Sequence, residues 1–171
     1  MAKNIEIKAH LHEPLAAEEK VKLFTGNQLN SVLHQVDTFY RSPIGRIKIR
    51  EINYITNELI FYKRANSEEV RQSKYYKFNL LFPKLFKFVL KFTLVMRGKV
   101  EKERKLFIYE NTRIHFDSVK GLGTFIEFEY VVDDSHTEEK GYNVINTLMT
   151  AIGINQKDLL SVSYIDMLSN G

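Results

Sequence analysis

Charge recurs at every second residue in one segment of this chain after another, and that periodicity limits its fold more than any other feature. Successive side chains of a β-strand point to opposite faces. In the opening segment Asn4, Glu6, Lys8 and His10 therefore share one face, and Ile5, Ile7, Ala9 and Leu11 the other. Arg46, Lys48 and Arg50 alternate with Ile47 and Ile49 in the same way. Lys102 and Arg104 lie together, as do Arg113, His115 and Asp117, while Glu127 and Glu129 stand opposite Ile126, Phe128 and Tyr130; Arg64 ends a further segment. Any one of these strands would fit a sheet with one solvated face. Solvated faces, however, are usually mixed and rich in Ser, Thr, Asn and Gln, whereas here charge dominates strand after strand. A sheet that curls so that its charged faces converge on a bound polyanion and metal, with helices over its apolar outside, accounts for the whole set. That arrangement inverts the ordinary small barrel, whose interior is its apolar core.

Periodicity places strands at residues 4–11, 34–41, 46–54, 58–64, 99–109, 113–117 and 124–132. Residues 42–45 form a hairpin connection, and Gly121 and Gly123 mark a turn. Helical patterns run over 14–23, opening on Pro14 and ending near Gly26, and over 137–151, with a shorter one near 156–160. The mixture is an α+β domain. Between residues 78 and 96, Lys84, Lys87 and Lys91 recur at i, i+3 and i+7 among Leu85, Phe88, Val89 and Phe92, so an amphipathic helix is expected after Pro83. Packing of that helix on the domain is the expectation, and a membrane-surface or partner-binding role is the other reading.

A length of 171 residues suits a single domain over 1–171, with no internal repeat and no low-complexity linker. Hydrophobic residues make up 44% of the chain, enough for a sizeable core, while 27% charged residues exclude an integral membrane protein of helical type. The absence of cysteine removes disulfides, thiolate zinc sites and cysteine nucleophiles, and is compatible with a reducing, cytoplasmic setting. No apolar leader follows Met1, so a signal peptide is not expected. His10, His12, His34 and His136 show no zinc-site spacing.

The same segments carry a resemblance. Asn-Ile-Glu-Ile-Lys-Ala at 4–9, Gln-Val-Asp-Thr-Phe-Tyr at 35–40, Gly-Arg-Ile-Lys-Ile-Arg-Glu at 45–51 and Leu-Ile-Phe-Tyr-Lys-Arg at 59–64 resemble the CYTH superfamily, the triphosphate tunnel metalloenzymes. Val-Glu-Lys-Glu-Arg at 100–104, Thr-Arg-Ile-His-Phe-Asp at 112–117, the stretch 119–129 and Ser-Tyr-Ile-Asp-Met-Leu at 163–168 agree in order, closest to the class IV adenylyl cyclase-like branch. The resemblance implies an eight-stranded antiparallel barrel, closed or nearly so, forming a tunnel with a charged interior. It also implies a triphosphate substrate, such as ATP, thiamine triphosphate or tripolyphosphate, handled with Mg²⁺ or Mn²⁺. The hallmark Glu-x-Glu-x-Lys strand is altered at its first position, where Asn4 replaces Glu and removes one charge from the expected metal site.

Matched to that pattern, Lys8, Arg46, Lys48, Arg50, Arg64, Lys102, Arg104 and Arg113 are the candidate phosphate-binding bases, Arg being suited to bidentate contacts. Glu6, Asp117, Glu127 and Glu129 are the candidate metal ligands, and Glu6 and Glu129 the candidate catalysts that assist an attacking water. For Glu127 and Glu129 the other reading is salt bridges to those bases; Asp117, near an expected strand end, also suits a turn cap. His115 reads as a structural or supporting residue. Tyr62 and Tyr75 read as packing residues that would otherwise line the tunnel mouth. Three functions stay open: a triphosphate phosphohydrolase, a cyclase converting ATP to cyclic AMP and pyrophosphate, and a non-catalytic polyphosphate- or nucleotide-binding module. No nucleic-acid partner and no membrane span are expected, and a homodimer is among the assemblies left open.

Overall fold

The computed structural model describes residues 2–42, 45–64 and 71–170, with the side chains of 2–3, 63–64, 71–75 and 170 excepted. Eight strands, β1 (Ala2–His10), β2 (Ser31–Ser42), β3 (Gly45–Ile52), β4 (Thr56–Arg64), β5 (Arg71–Asn79), β6 (Met96–Tyr109), β7 (Thr112–Val119) and β8 (Gly123–Val132), close into a barrel. Its order is β1-β5-β4-β3-β2-β6-β7-β8, with β8 returning to β1, and every neighbour is antiparallel. The helices are α1 (Pro14–Thr25), α2 (Pro83–Thr93), α3 (Glu138–Ile152) and α4 (Tyr164–Asn170), with a 3₁₀ turn at Gln156–Asp158. The α+β class and a curled sheet with its charged face inward are what the strand periodicity indicated, and the eight-stranded antiparallel barrel is what the resemblance implied.

The apolar strand faces point outward, and helices cover them. Ile5, Ile7 and Ala9 of β1, Ile114 and Phe116 of β7, and Ile126, Phe128 and Tyr130 of β8 form one buried core with Ala17 and Val21 of α1 and Ile145, Leu148, Met149 and Ile152 of α3. Core packing thus lies outside the barrel, which frees its interior for polar groups. Helix α3 is capped by the Thr137 hydroxyl, which accepts from the Lys140 amide, and Glu138 and Glu139 in its first turn complement the helix dipole. It sits close because Gly141 faces the barrel: a Cβ there would lie 2.6 Å from Tyr130 Cδ1 and 2.9 Å from Ile5 Cδ1. Gly141→Ala is therefore expected to cost about 1–3 kcal/mol by overpacking, read as a lower urea midpoint; an unchanged midpoint would mean that α3 can shift outward freely.

Inside one end of the barrel, Phe39, Val100, Val119 and Phe125 pack with Tyr164 and Ile165 of α4. Helix α4 was not foreseen from the sequence, nor was β5. Helix α2 has the expected place and period but not the expected packing, since none of its residues is buried. Its Lys87 reaches Glu51 of β3 at 2.5 Å, while Leu85, Phe88, Val89 and Phe92 face solvent. Lys87 ties the helix to the barrel through that carboxylate, while Lys84 and Lys91 are exposed along the edge of the outward apolar side.

Candidate functional site

Residues directly opposite in adjacent strands share a face, so register alone assembles the interior. Glu6 pairs with Glu129 and Lys8 with Glu127 across β1 and β8. Arg113 pairs with Glu129 across β7 and β8, Arg104 with Asp117 across β6 and β7, and Asp37 with Arg50 across β2 and β3. All of these except Asp117, which lies buried behind Lys102 and Arg104, line a cavity of about 290 Å³ together with Lys48, Lys102, His115 and, from α4, Ser163 and Tyr164.

Two similar clusters organise the charge. On β3 and β2, Lys48 Nζ donates to Asp37 at 2.7 Å and Arg50 grips the same carboxylate through Nε and Nη2 at 2.8 and 2.9 Å. On β6 and β7, Lys102 Nζ donates to Asp117 at 2.8 Å, and Arg104 grips it at 2.6 and 2.7 Å. The Tyr164 hydroxyl adds a further hydrogen bond to Asp117 at 2.9 Å. In each cluster a Lys-x-Arg pair is held by one aspartate on the neighbouring strand.

The acidic wall is built from β1 and β8. Glu127 meets Lys8 at 3.6 Å and Arg104 at 3.2 Å, while Glu129 meets Arg113 at 3.1 Å and His115 at 3.3 Å and accepts from the Asn4 amide. Lys8 also stands 4.0 Å above the Tyr164 ring, a cation–π contact.

Burial and like charge set the protonation states. Burial and the Arg104 charge push Lys102 down to about 7, although Asp117 and Glu127 oppose this. Lys48 is pushed down to about 8 by burial and Arg50, against the pull of Asp37. Strands β2 and β6 are paired, with Gln35 opposite Lys102 and Asp37 opposite Val100, so the two clusters stand side by side on neighbouring strand pairs, and each lysine also feels the arginine of the other cluster. Burial would raise the Asp37, Asp117 and Glu127 carboxyls, but their basic neighbours outweigh it and hold all three well below the carboxylate range. Glu129 is likewise lowered, since the His115 hydrogen bond with the His115 and Arg113 charges outweighs burial. Burial and Arg104 lower His115.

Of the candidate bases, Lys8, Lys48, Arg50, Lys102, Arg104 and Arg113 are brought together on the cavity wall. Arg46 is not among them: its guanidinium donates to Ser163 Oγ at 3.2 Å and to Asp166 at 3.3 Å, and so ties β3 to α4. The side chains of Arg64 and Tyr75 lie outside the described residues. Tyr62 lines the cavity. Asp117 is no turn cap, because β7 continues to Val119, and both its oxygens are already engaged. Gln35, Asp37, Glu58, Lys77 and Tyr164 line or brace the cavity without having been singled out. For Asp37 and Glu58 a signal existed, an acid within a strand pattern, where such residues are depleted.

The donor chemistry suits a hard divalent cation. Glu6, Glu127 and Glu129 offer carboxylate oxygens, and Asn4 Oδ1, beside Glu129, is buried without a hydrogen-bond partner. Among the described residues no three His, Asp or Glu are gathered as a ready cage. The carboxylates would have to exchange their basic partners for the ion.

Residues 2–164 match the CYTH domain family. The chain belongs to the CYTH family. No curated protein matches it. Among solved structures, the PH1012 protein of Pyrococcus horikoshii aligns at 19% identity over 95% of this chain and 98% of that one, with a TM-score of 0.84. A "putative adenylate cyclase" of Vibrio parahaemolyticus aligns at 18% identity over 97% of each chain, with a TM-score of 0.73. HpAC1 of Hippeastrum, a "putative adenylyl cyclase" described as having a dominant triphosphatase activity, aligns at 14% identity over 100% of this chain and 96% of that one, with a TM-score of 0.70. At these identities the likeness is one of fold. In this CYTH protein no helix among the described residues is long and apolar enough to cross a membrane.

Proposed function

We propose that this CYTH protein is a metal-dependent phosphohydrolase that acts on an organic or inorganic triphosphate within the barrel. The observation that carries the reading is the pair of Lys-x-Arg clusters side by side on one cavity wall, with Lys102 and Lys48 pushed down to about 7 and 8 by burial and by the adjacent arginines. Bases held together against mutual repulsion favour a polyanion, which relieves it. Lys8, Lys48, Arg50, Lys102, Arg104 and Arg113 would bind the phosphate oxygens. Glu6, Glu127 and Glu129 would hold Mg²⁺ or Mn²⁺, which when bound would supply charge neutralisation and a positioned water. Glu6 or Glu129 would take the proton of that water during in-line attack on the terminal phosphorus. Substrate and metal then divide the internal ion pairs between them, the anion taking the bases and the cation the acids.

A second reading, cyclisation of ATP, is favoured by Leu33, Phe39, Ile60 and Val100 on the cavity wall, which offer an apolar surface to an organic moiety. The Vibrio neighbour's description points the same way. Assays with ATP, thiamine triphosphate and tripolyphosphate plus Mg²⁺ or Mn²⁺ separate the alternatives. Release of phosphate supports hydrolysis, cyclic AMP with pyrophosphate supports the cyclase, and tight binding with no product leaves the binding module that Asn4 suggests.

Binding should also carry protons. As pH rises Lys102, held at about 7, loses its proton before Lys48, held at about 8, and a bound polyanion draws protons back onto them. Calorimetry of tripolyphosphate binding at pH 8 in buffers of different ionisation enthalpy is expected to show net uptake that shrinks in Lys102→Met. Equal uptake by both proteins would contradict this linkage.

A further inference from the structure

The net charge of this protein is unevenly placed. Between Arg71 and Val100 there are eight Lys and Arg and no Asp or Glu, so the rest of the chain holds 17 bases against 21 acids. That basic stretch contains α2, and its large apolar side chains are open to solvent: Phe88 is 61% exposed, Phe92 73% and Leu85 58%. Leu81 and Phe82 before the helix, Val95 and Met96 after it, and Tyr76 and Phe78 on β5 are exposed too. Clustered exposed apolar side chains of this kind mark interaction surfaces. Lys84 and Lys91 are exposed on the same helix, and Lys87 fixes it to Glu51.

We propose that α2 and its flanks dock on an anionic lipid surface, the helix lying in the interfacial plane with Phe88, Phe92, Leu85 and Val89 inserted and Lys84 and Lys91 at the headgroups. A short amphipathic helix with a phenylalanine-rich face and a lysine-rich edge has the chemistry of such a surface. Charge selects the occupant. Two copies meeting through this patch would set one acid-free basic segment against another, whereas a negatively charged bilayer complements it. The tunnel residues take no part, so docking is independent of the triphosphate reading.

Flotation with full-length protein tests this, using vesicles of phosphatidylcholine alone and of phosphatidylcholine with about one-third phosphatidylserine. Expected is at least a tenfold preference for the anionic vesicles at low salt, lost as ionic strength rises. Phe88→Asp with Phe92→Asp is expected to abolish binding, and Lys84→Glu with Lys91→Glu to lower it about tenfold or more. Both pairs are solvent-exposed, and an unchanged circular dichroism melt confirms that they fold. Binding no better to anionic than to neutral vesicles would overturn the proposal. So would a stable dimer in sedimentation that dissociates in Phe88→Asp, Phe92→Asp while the wild type ignores lipid.

Discussion

Lys102→Met is expected to lower triphosphate turnover at least about a hundredfold while leaving the urea midpoint unchanged or raised. The two halves of that result have separate physical causes. Removing one preorganised charged donor from a phosphoryl-transfer site typically costs 10²–10³-fold in rate, and Lys102 lies on the cavity wall beside Arg104. For stability, the same lysine is a burden. Its side chain is 4% exposed, and burial together with Arg104 pushes it down to about 7. Asp117 loses little, because Arg104 still grips it through two nitrogens and Tyr164 still donates to it. Removing one partner of a buried pair is costly when it strands the other charge; here Arg104 still answers Asp117, so no charge is stranded and a poorly tolerated buried cation is gone. A variant that lost both activity and several kcal/mol would show that Lys102 is a structural ion-pair partner, not a residue kept for binding.

Asp117→Ala is expected to behave in the opposite way, destabilising the fold by about 3–5 kcal/mol, since it strands buried cations with no counter-charge. The Asp117 side chain is fully buried, and it answers Lys102, Arg104 and the Tyr164 hydroxyl. Without it, Lys102 and Arg104 repel each other, and Glu127, already shared with Lys8, is the acid that remains within reach of Arg104 at 3.2 Å. The Tyr164 hydrogen bond is lost as well, which loosens α4 where it closes the barrel end. Urea unfolding followed by circular dichroism measures the change. A loss below about 1 kcal/mol would mean that the cluster is already solvated and that the cavity is wetter than its burial indicates.

Much of this architecture was legible in period-two charge. Glu6 and Lys8, Lys102 and Arg104, and Glu127 and Glu129 are inward because their neighbours Ile7, Phe107, Ile126 and Phe128 are needed in the outer core. Strand β5 was hidden because Arg71, Lys74 and Lys77 fall on both parities and Tyr75 and Tyr76 are adjacent, so no face stands out. Its place follows from closure: β1 and β4 each need a partner, and β5 supplies both. Helix α4 spans seven residues, too few for a helical period to register, yet it brings Tyr164 under Lys8 and onto Asp117. Asp37 escaped notice because its role depends on register. Only the pairing of β2 with β3 puts it opposite Arg50 and makes the second cluster visible as a counterpart of the first. Arg46 shares the parity of Lys48 and Arg50, but it lies one hairpin step further out, at the end that α4 occupies, and Asp166 takes it.

The most direct test of the central claim is steady-state turnover of ATP, thiamine triphosphate and tripolyphosphate with Mg²⁺ or Mn²⁺, measured in parallel for the wild type and Lys102→Met. Expected is product from at least one substrate with the wild type and about a hundredfold less with the folded variant. Equal rates for the two proteins, or no turnover of any triphosphate by the wild type, would contradict it.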